Sequence, residues 1–397
     1  MTGDFTAFAL IVLIVAAVGS VAIASSRLSA WLRVPAPFLF LAGAAIVVKL
    51  APSLHPPHQT VERVVTVALA VILFDGGLHI GWRRFRSSAA LILVLGIAGT
   101  ALTTAGAAVL GHFGFGFAWY AAVLLATAIA PTDPAVVFSV LGGKEIGGPS
   151  GTLLEGESGA NDPVGIALMA SLISAGGLSA GAFGQVVGTF LLQLAVGAAV
   201  GAAGGWLLQW AIRRLPLPNE GLYPLRTLAA ALLLYGIAGV AHGSGFLAVF
   251  LAGIVLGDAE APFKREVERF HASLSSLAEI VAFVVLGLTV NLNTLGELRV
   301  WLPGVVIAAV LAAVIRPLIA AACLVGSRLH LRERTFVALV GLKGAVPILL
   351  GTLLLTAHVA DRQRLYGIVV VVVGFSVLIQ GSLVPLLVRR LRLVLRA

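Results

Sequence analysis

The chain has 397 residues, 59% of them hydrophobic and only 11% charged, with a mean hydropathy of +1.07. Soluble domains carry about 25% charged residues, so a water-bathed globule is excluded. The net charge of +9 would suit a nucleic-acid partner, but the arginines sit in short loops between apolar runs and form no continuous patch, so none is expected.

Apolar runs long enough to cross a ~30 Å hydrocarbon core as helices recur along the whole chain. Barrel strands would alternate over ~10 residues, and these runs do not. The class is an all-α polytopic membrane protein embedded in a lipid bilayer. Thirteen spans are expected, at 4–25, 36–50, 64–81, 88–112, 117–141, 152–176, 182–212, 224–241, 243–257, 273–291, 301–326, 334–357 and 365–388. The first follows "MTGDF", which has no basic residue, so it reads as a retained helix and not a cleaved signal. Span 3 carries Asp75 in "LFDGGLHIGW". Span 5 contains "IAPTDPAVV", where Pro131 and Pro134 flank Asp133. Span 6 contains "LLEGESGANDPVGIALM", with Glu155, Glu157, Ser158, Asn161, Asp162 and Pro163. In span 7, Gly197, Gly201 and Gly205 make a GxxxG pattern that fits a dimer contact or, the favoured reading, close helix packing within one chain. Span 10 carries Glu279, and span 11 carries Arg316 and the lone Cys323, so no intrachain disulfide can form. Span 12 contains "GLKGAVPILLG" around Lys343. Nine residues follow span 13, so no soluble regulatory domain is expected and residues 1–397 read as one transport domain.

Basic residues in the loops set the orientation. With the N-terminus outside, nineteen of the 26 Lys and Arg fall on the cytoplasmic side and five outside, while Arg316 and Lys343 lie within spans. The expected topology is N-terminus out and C-terminus in, in the plasma (inner) membrane. Thirteen spans of this polarity allow two inverted six-helix repeats, roughly 4–176 and 224–388, joined by a linker helix at 182–212. Transporters built so place their sites where corresponding helices are broken. Spans 5 and 12 correspond under that rule. Proline or glycine interrupts both, and each break carries a charge. They are expected to cross near the midplane.

Charges inside a bilayer each cost roughly 3 kcal/mol or more, so they mark function by default. The six acids Asp75, Asp133, Glu155, Glu157, Asp162 and Glu279 outnumber Arg316 and Lys343. Protons or bound cations would make up the difference. Helical spacing places Asp162 and Ser158 (i, i+4) and Asn161 and Ser158 (i, i+3) on one face. Together with Thr132 and Asp133 from a broken span 5, they offer the oxygen ligands a small hard cation wants. The position of Glu155 suits a carboxylate at the membrane interface or a helix start. Enzyme chemistry finds no support. "GGKEIGG" lacks the phosphate-loop spacing, and there is no HxxxH, HExxH or CxxC, so neither enzyme nor cofactor is expected.

"TAIAPTDPAVVFSVL", "LEGESGANDPVGIAL", "EIVAFVVLGL" and "GLKGAVPILL" together resemble the NhaP-type monovalent cation/proton antiporters, the bacterial and archaeal branch related to animal sodium/proton exchangers. The resemblance spans nearly the whole chain, in order, and the ESxxND motif followed by proline is specific. It implies a thirteen-helix fold working as a homodimer. It implies that Asp162 binds ion and proton with Ser158 as a ligand, and that Thr132 and Asp133 close the site. Asp162, Ser158 and Thr132 would thus be the monovalent-cation ligands. Asn161 stands where electrogenic relatives have a second aspartate. Glu157 would hold Asn161 and pair with the base of span 12, Lys343. Asp75 matches a position that is commonly glutamate. Glu279 and Arg316 match a structural ion pair. Position 343 is lysine where arginine is usual. "GLKGAVPI" and "FSVL" look nearer the potassium/proton branch, which often carries a cytoplasmic regulatory domain.

The expected function is exchange of Na⁺, K⁺ or Li⁺ for H⁺, one for one, by alternating access. The competing reading, a sodium-coupled symporter of a small organic solute, needs a further pocket. The membrane-embedded charges are already used by one ion site and one structural pair.

Overall fold

In a computed structural model the described residues are Gly19, Ser20, 34–141 and 144–396. The first expected span therefore lies almost wholly outside them. The described residues are predominantly helical. The helices are α1 (Ala36–Leu50), α2 (His58–Leu93), α3 (Thr100–Phe115), α4 (Trp119–Ile129), α5 (Pro134–Val140), α6 (Pro149–Ala175), α7 (Ala180–Arg214), α8 (Leu222–Val240) and α9 (Gly245–Gly257). There follow α10 (Lys264–Gly287), the single turn α11 (Leu292–Leu295), α12 (Leu298–Val310), α13 (Arg316–Cys323), α14 (Leu331–Leu339), α15 (Ala345–Leu354), α16 (Arg362–Phe375) and α17 (Gly381–Leu391). Two-residue strands, β1 (Glu145–Ile146) and β2 (Leu395–Arg396), pair antiparallel.

Among the described residues, six helical stretches are long and apolar enough to cross a membrane, or seven if the bent pair α4 and α5, 47° apart, is one span. The remaining expected spans are short or interrupted. α1, α9 and α15 have 15, 13 and 10 residues. α6 has 27 residues but carries Glu155, Glu157 and Asp162.

Spans 3 and 4 differ from expectation. No loop separates them. α2 continues through "RRFRSS", because arginine is a good helix former, and the direction changes at Gly81, whose φ of 68° is open to glycine. Asp258 fills the space beside it, and its Oδ2 accepts from the Arg83 N–H at 2.5 Å, capping the restarted helix.

Small residues let the backbones around the site approach closely. Gly77 packs on the Phe250 carbonyl, and Gly253 and Gly257 pack on the carbonyls of Phe74 and Leu78, which locks α2 to α9. In α7, Gly197, Gly201 and Gly205 face Ser244, the N-cap of α9, and Ala248 and Ala252 within it. The GxxxG pattern is thus intrachain packing. α6 is enclosed on several sides: a Cβ on Gly156 would strike Ile92, one on Gly159 the Phe250 ring, and one on Gly165 Pro131. Every residue from Gly156 to Gly165 is buried, so the polar groups of α6 face protein and not lipid.

Candidate functional site: two broken spans crossed against α6

The two breaks cross each other. In span 5 the helix stops at Ile129 and restarts at Pro134, whose missing N–H is tolerated at a first helical position. Asp133 caps the restart, accepting from the Ala135 N–H at 2.8 Å. In span 12 no helix covers Val340–Gly344. The Asp133 N–H donates to the Leu342 carbonyl at 2.7 Å, joining break to break. Lys343 reaches back, its Nζ donating to the carbonyls of Ala130 at 2.8 Å and Pro131 at 3.0 Å. Gly344 makes the crossing fit, because a Cβ there would overlap Asp133 Oδ2.

Neighbouring helices satisfy the opened backbone, as a lipid-embedded break demands. Asn161 of α6 grips Thr132 twice. Its Nδ2 donates to Thr132 Oγ1 at 2.7 Å, and its Oδ1 accepts from the Thr132 N–H at 3.4 Å. That amide orientation is forced, since a backbone N–H only donates. On the other side, a widened π turn at Ser376–Gln380 supplies the partners. Ser376 Oγ accepts from the Lys343 N–H at 3.1 Å and donates to Gln380 Oε1 at 3.0 Å, and Gln380 Nε2 donates to the Leu339 carbonyl at 2.8 Å. Ser376 and Gln380 escaped the sequence reading. Their i, i+4 spacing in an otherwise apolar span was the available signal.

Asp162 lies beside this crossing. It is 8% exposed, and its Oδ1 is buried with no hydrogen-bond partner. The charges acting on it are those of Asp133 and Lys343. Ser158, one turn earlier on the same face, is 5% exposed. The structure thus brings together Asp162, Ser158, Asn161, Thr132, Asp133 and Lys343.

Two expected pairings are corrected. Arg316 is paired with Glu157, not Glu279: Nη1 lies 2.5 Å from Oε1 and Nη2 2.7 Å from Oε2. Lys343, expected against Glu157, holds carbonyls instead. The reason is partly chemical: the guanidinium fork matches both carboxylate oxygens, whereas an ammonium is a point donor that suits converging carbonyls. It is also geometric. A π turn at Leu311–Ile315 inserts an extra residue just before Arg316, which re-aims its side chain. Gly341 leaves room for that side chain. Glu279 has no ion pair among the described residues and lies in the field of Asp133. Asp75 stands apart, beside Ser275 of α10 and near His79. Glu155 pairs with Arg84 at 3.3 Å.

An all-helical, multi-pass membrane protein with crossed broken spans and a buried carboxylate at the crossing has the form of a secondary transporter. A sequence profile described as the transmembrane sodium/hydrogen exchanger matches residues 10–390, and the chain belongs to that family. A "K(+)/H(+) antiporter NhaP2" of Shewanella sp. strain MR-4 is 32% identical over 378 residues, covering 93% of this chain and 65% of that protein. A "K(+)/H(+) antiporter NhaP" of Alkalimonas amylolytica is 34% identical over 333 residues, covering 83% and 57%. The chain thus spans a little under two thirds of the length of these relatives. A "Na(+)/H(+) antiporter NhaH" of Halobacillus dabanensis is 28% identical over 349 residues, with 83% of each chain covered. The fold matches the sodium proton antiporter MjNhaP1 of Methanocaldococcus jannaschii with a TM-score of 0.78 at 21% identity, covering 96% of this chain and 99% of that one.

Proposed function

We propose that this chain exchanges a monovalent cation, Na⁺ or K⁺, for H⁺ across the membrane by alternating access. The observation that carries the reading is Asp162, whose buried Oδ1 lacks a partner beside the crossed breaks. A carboxylate so placed can hold a proton or a cation, but not both. Either loaded form is near neutral, and the empty charged form is penalised by desolvation, so competition enforces exchange. Family membership and the antiporter names of the relatives support exchange over sodium-coupled symport.

Asp162 takes the ion, Ser158 and the Thr132 hydroxyl offer further oxygens, and Asn161 positions Thr132. Asp133 caps α5 and contributes charge, and Lys343 pins the unwound segment. Glu157 and Arg316 brace α6. With Glu157 and Arg316 neutralising each other, the crossing holds two carboxylates, Asp162 and Asp133, against one ammonium. The surplus is a single negative charge, which one proton or one cation cancels. Asp75 stays outside this ligand set.

The chain works as a homodimer in the plasma (inner) membrane, with its N-terminus outside and its C-terminus inside. The two halves form inverted repeats. Supporting that symmetry, an amide on the span after each break (Asn161 after span 5, Gln380 after span 12) bonds the broken segment. The π turns at Val94–Gly99 and Leu311–Ile315 also fall in corresponding spans 4 and 11.

The test is dequenching of a pH-sensitive dye in proteoliposomes, with Na⁺, K⁺ and Li⁺ salts added in turn. Asp162→Asn, which keeps the shape and removes the titration, is expected to fold and to abolish the signal. Transport by that variant at the wild-type rate would remove Asp162 from the mechanism.

A further inference from the structure

On the face that carries the β1–β2 pair there is a cavity of about 720 Å³. Its floor is the start of α6. Gly148, at φ 79° and ψ −165°, is the N-cap, Pro149 follows with no N–H, and no side chain caps the first turn. One wall is the start of α14, with His330 and Arg332; the other is the C-terminal strand region, with Arg392. That strand is held in place, since the Gly147 N–H donates to the Val394 carbonyl at 2.8 Å beside the β1–β2 bridge.

Ser150 lines the same cavity. It is 1% exposed, and its hydroxyl has no hydrogen-bond partner among the described residues. A buried hydroxyl is normally partnered, so one left open into a cavity points to an absent ligand. The remaining polar groups define that ligand's charge. Arg332 and Arg392 make no hydrogen bond or ion pair among the described residues. The one carboxylate on the wall, Glu333, is already engaged, accepting from the His330 N–H at 2.9 Å to close the capping box of α14. An uncapped helix start, an open hydroxyl and two free guanidinium groups together describe an anion site.

We propose that this cavity binds a phosphate group, carried either by an anionic phospholipid headgroup or by a soluble phosphate ester. The helix start and Ser150 take the phosphate oxygens, and Arg332 and Arg392 supply charge and paired donors. The volume exceeds that of a bare phosphate, and the rim carries Leu331 and Val394, 78% and 71% exposed, which suits an organic moiety on the phosphate. The site lies at the head of the helix that bears Ser158 and Asp162, yet its occupancy is measured without transport.

The test has two arms on the purified chain. In detergent, inorganic pyrophosphate is titrated while thermal unfolding is followed, with chloride at matched ionic strength as the control. The melting temperature is expected to rise saturably with pyrophosphate alone. Arg332→Gln with Arg392→Gln is expected to weaken that response about tenfold or more, and Ser150→Ala several-fold, as charged and neutral contacts are lost. In the second arm, native mass spectrometry compares retention of phosphatidylglycerol with phosphatidylcholine in the wild type and the double variant. A pyrophosphate response alone assigns a soluble phosphate ester, and phosphatidylglycerol retention alone assigns the headgroup. Both together show that the phosphate is the common determinant. No preference in either arm, or full affinity in a double variant that elutes and melts as wild type, overturns the site. Should the double variant not elute as a folded species, each single change is read by the same criterion.

Discussion

Arg316 closes on Glu157 with both ends of its guanidinium, across 159 residues of sequence, and the two side chains are 5% and 1% exposed. A buried pair of this kind is cheap to keep and expensive to halve. We predict that Glu157→Gln or Arg316→Met alone destabilises by ~3–5 kcal/mol, because each strands the partner's charge, and that the double change loses less than either single change. A thermal-shift series in detergent checks this. Losses that simply add would show that the two charges do not depend on each other. The same series distinguishes Lys343. The coupling of Glu157 to Arg316 should exceed its coupling to Lys343 by at least about 1 kcal/mol, since only the first pair is in direct ion-pair contact, with one hydrogen bond between them.

Lys343 holds the unwound part of span 5 through the carbonyls of Ala130 and Pro131. Lys343→Met leaves both acceptors buried without their donor. At about 1–3 kcal/mol for an unsatisfied group, we predict a loss of at least ~2 kcal/mol, together with loss of exchange. Wild-type melting in the Met variant would mean that the carbonyls find other donors.

Gly344 is the steric condition for the crossing. Gly344→Ala drives a methyl group into the Asp133 carboxylate, backed by the rigid cap of α5. Overpacking typically costs ~1–3 kcal/mol. We predict a lower melting temperature and weaker apparent cation affinity in the dye assay. An alanine variant with unchanged melting and unchanged cation dependence would show that the two breaks separate more easily than their packing suggests.

Most of the spans and both breaks were legible in the sequence because a membrane helix advertises its length and its prolines. The polar face of α6 was legible because Ser158, Asn161 and Asp162 lie within two turns, where helical spacing fixes neighbours. The partners of Arg316 and Lys343 were not. Which of several acids on different helices a base meets depends on helix rotation, and the π turn at Leu311–Ile315 changes that rotation without a mark in the hydropathy pattern. Asn161 was found for the right location but given the wrong partner: both ends of its amide hold Thr132. The loop expected between spans 3 and 4 is a continuous helix instead, because charged helical turns and loops share a composition.

Asn161 also governs the last prediction, the stoichiometry. If Asp162 alone alternates between one proton and one monovalent cation, each cycle exchanges charge one for one. The membrane potential then does no work on the cycle, and exchange runs on the two chemical gradients only. Position 161 decides this because its amide does not titrate. Asn161→Asp keeps an acceptor for the Thr132 N–H, and the Thr132 hydroxyl can rotate to donate to the new carboxylate, so the grip on span 5 is retained while a second titrating group is added. We predict that the wild type gives no sustained current on a solid-supported membrane and builds no pH gradient from an imposed potential in the presence of the cation. In Asn161→Asp a second proton can travel with each cycle, and the potential then contributes ~2.3 kcal/mol per charge per 100 mV. That variant should therefore become sensitive to potential. A turnover-scaled current in the wild type would mean that another group, Asp133 or Lys343, whose charges act on Asp162, releases a proton in step with it, and the one-for-one scheme would fall.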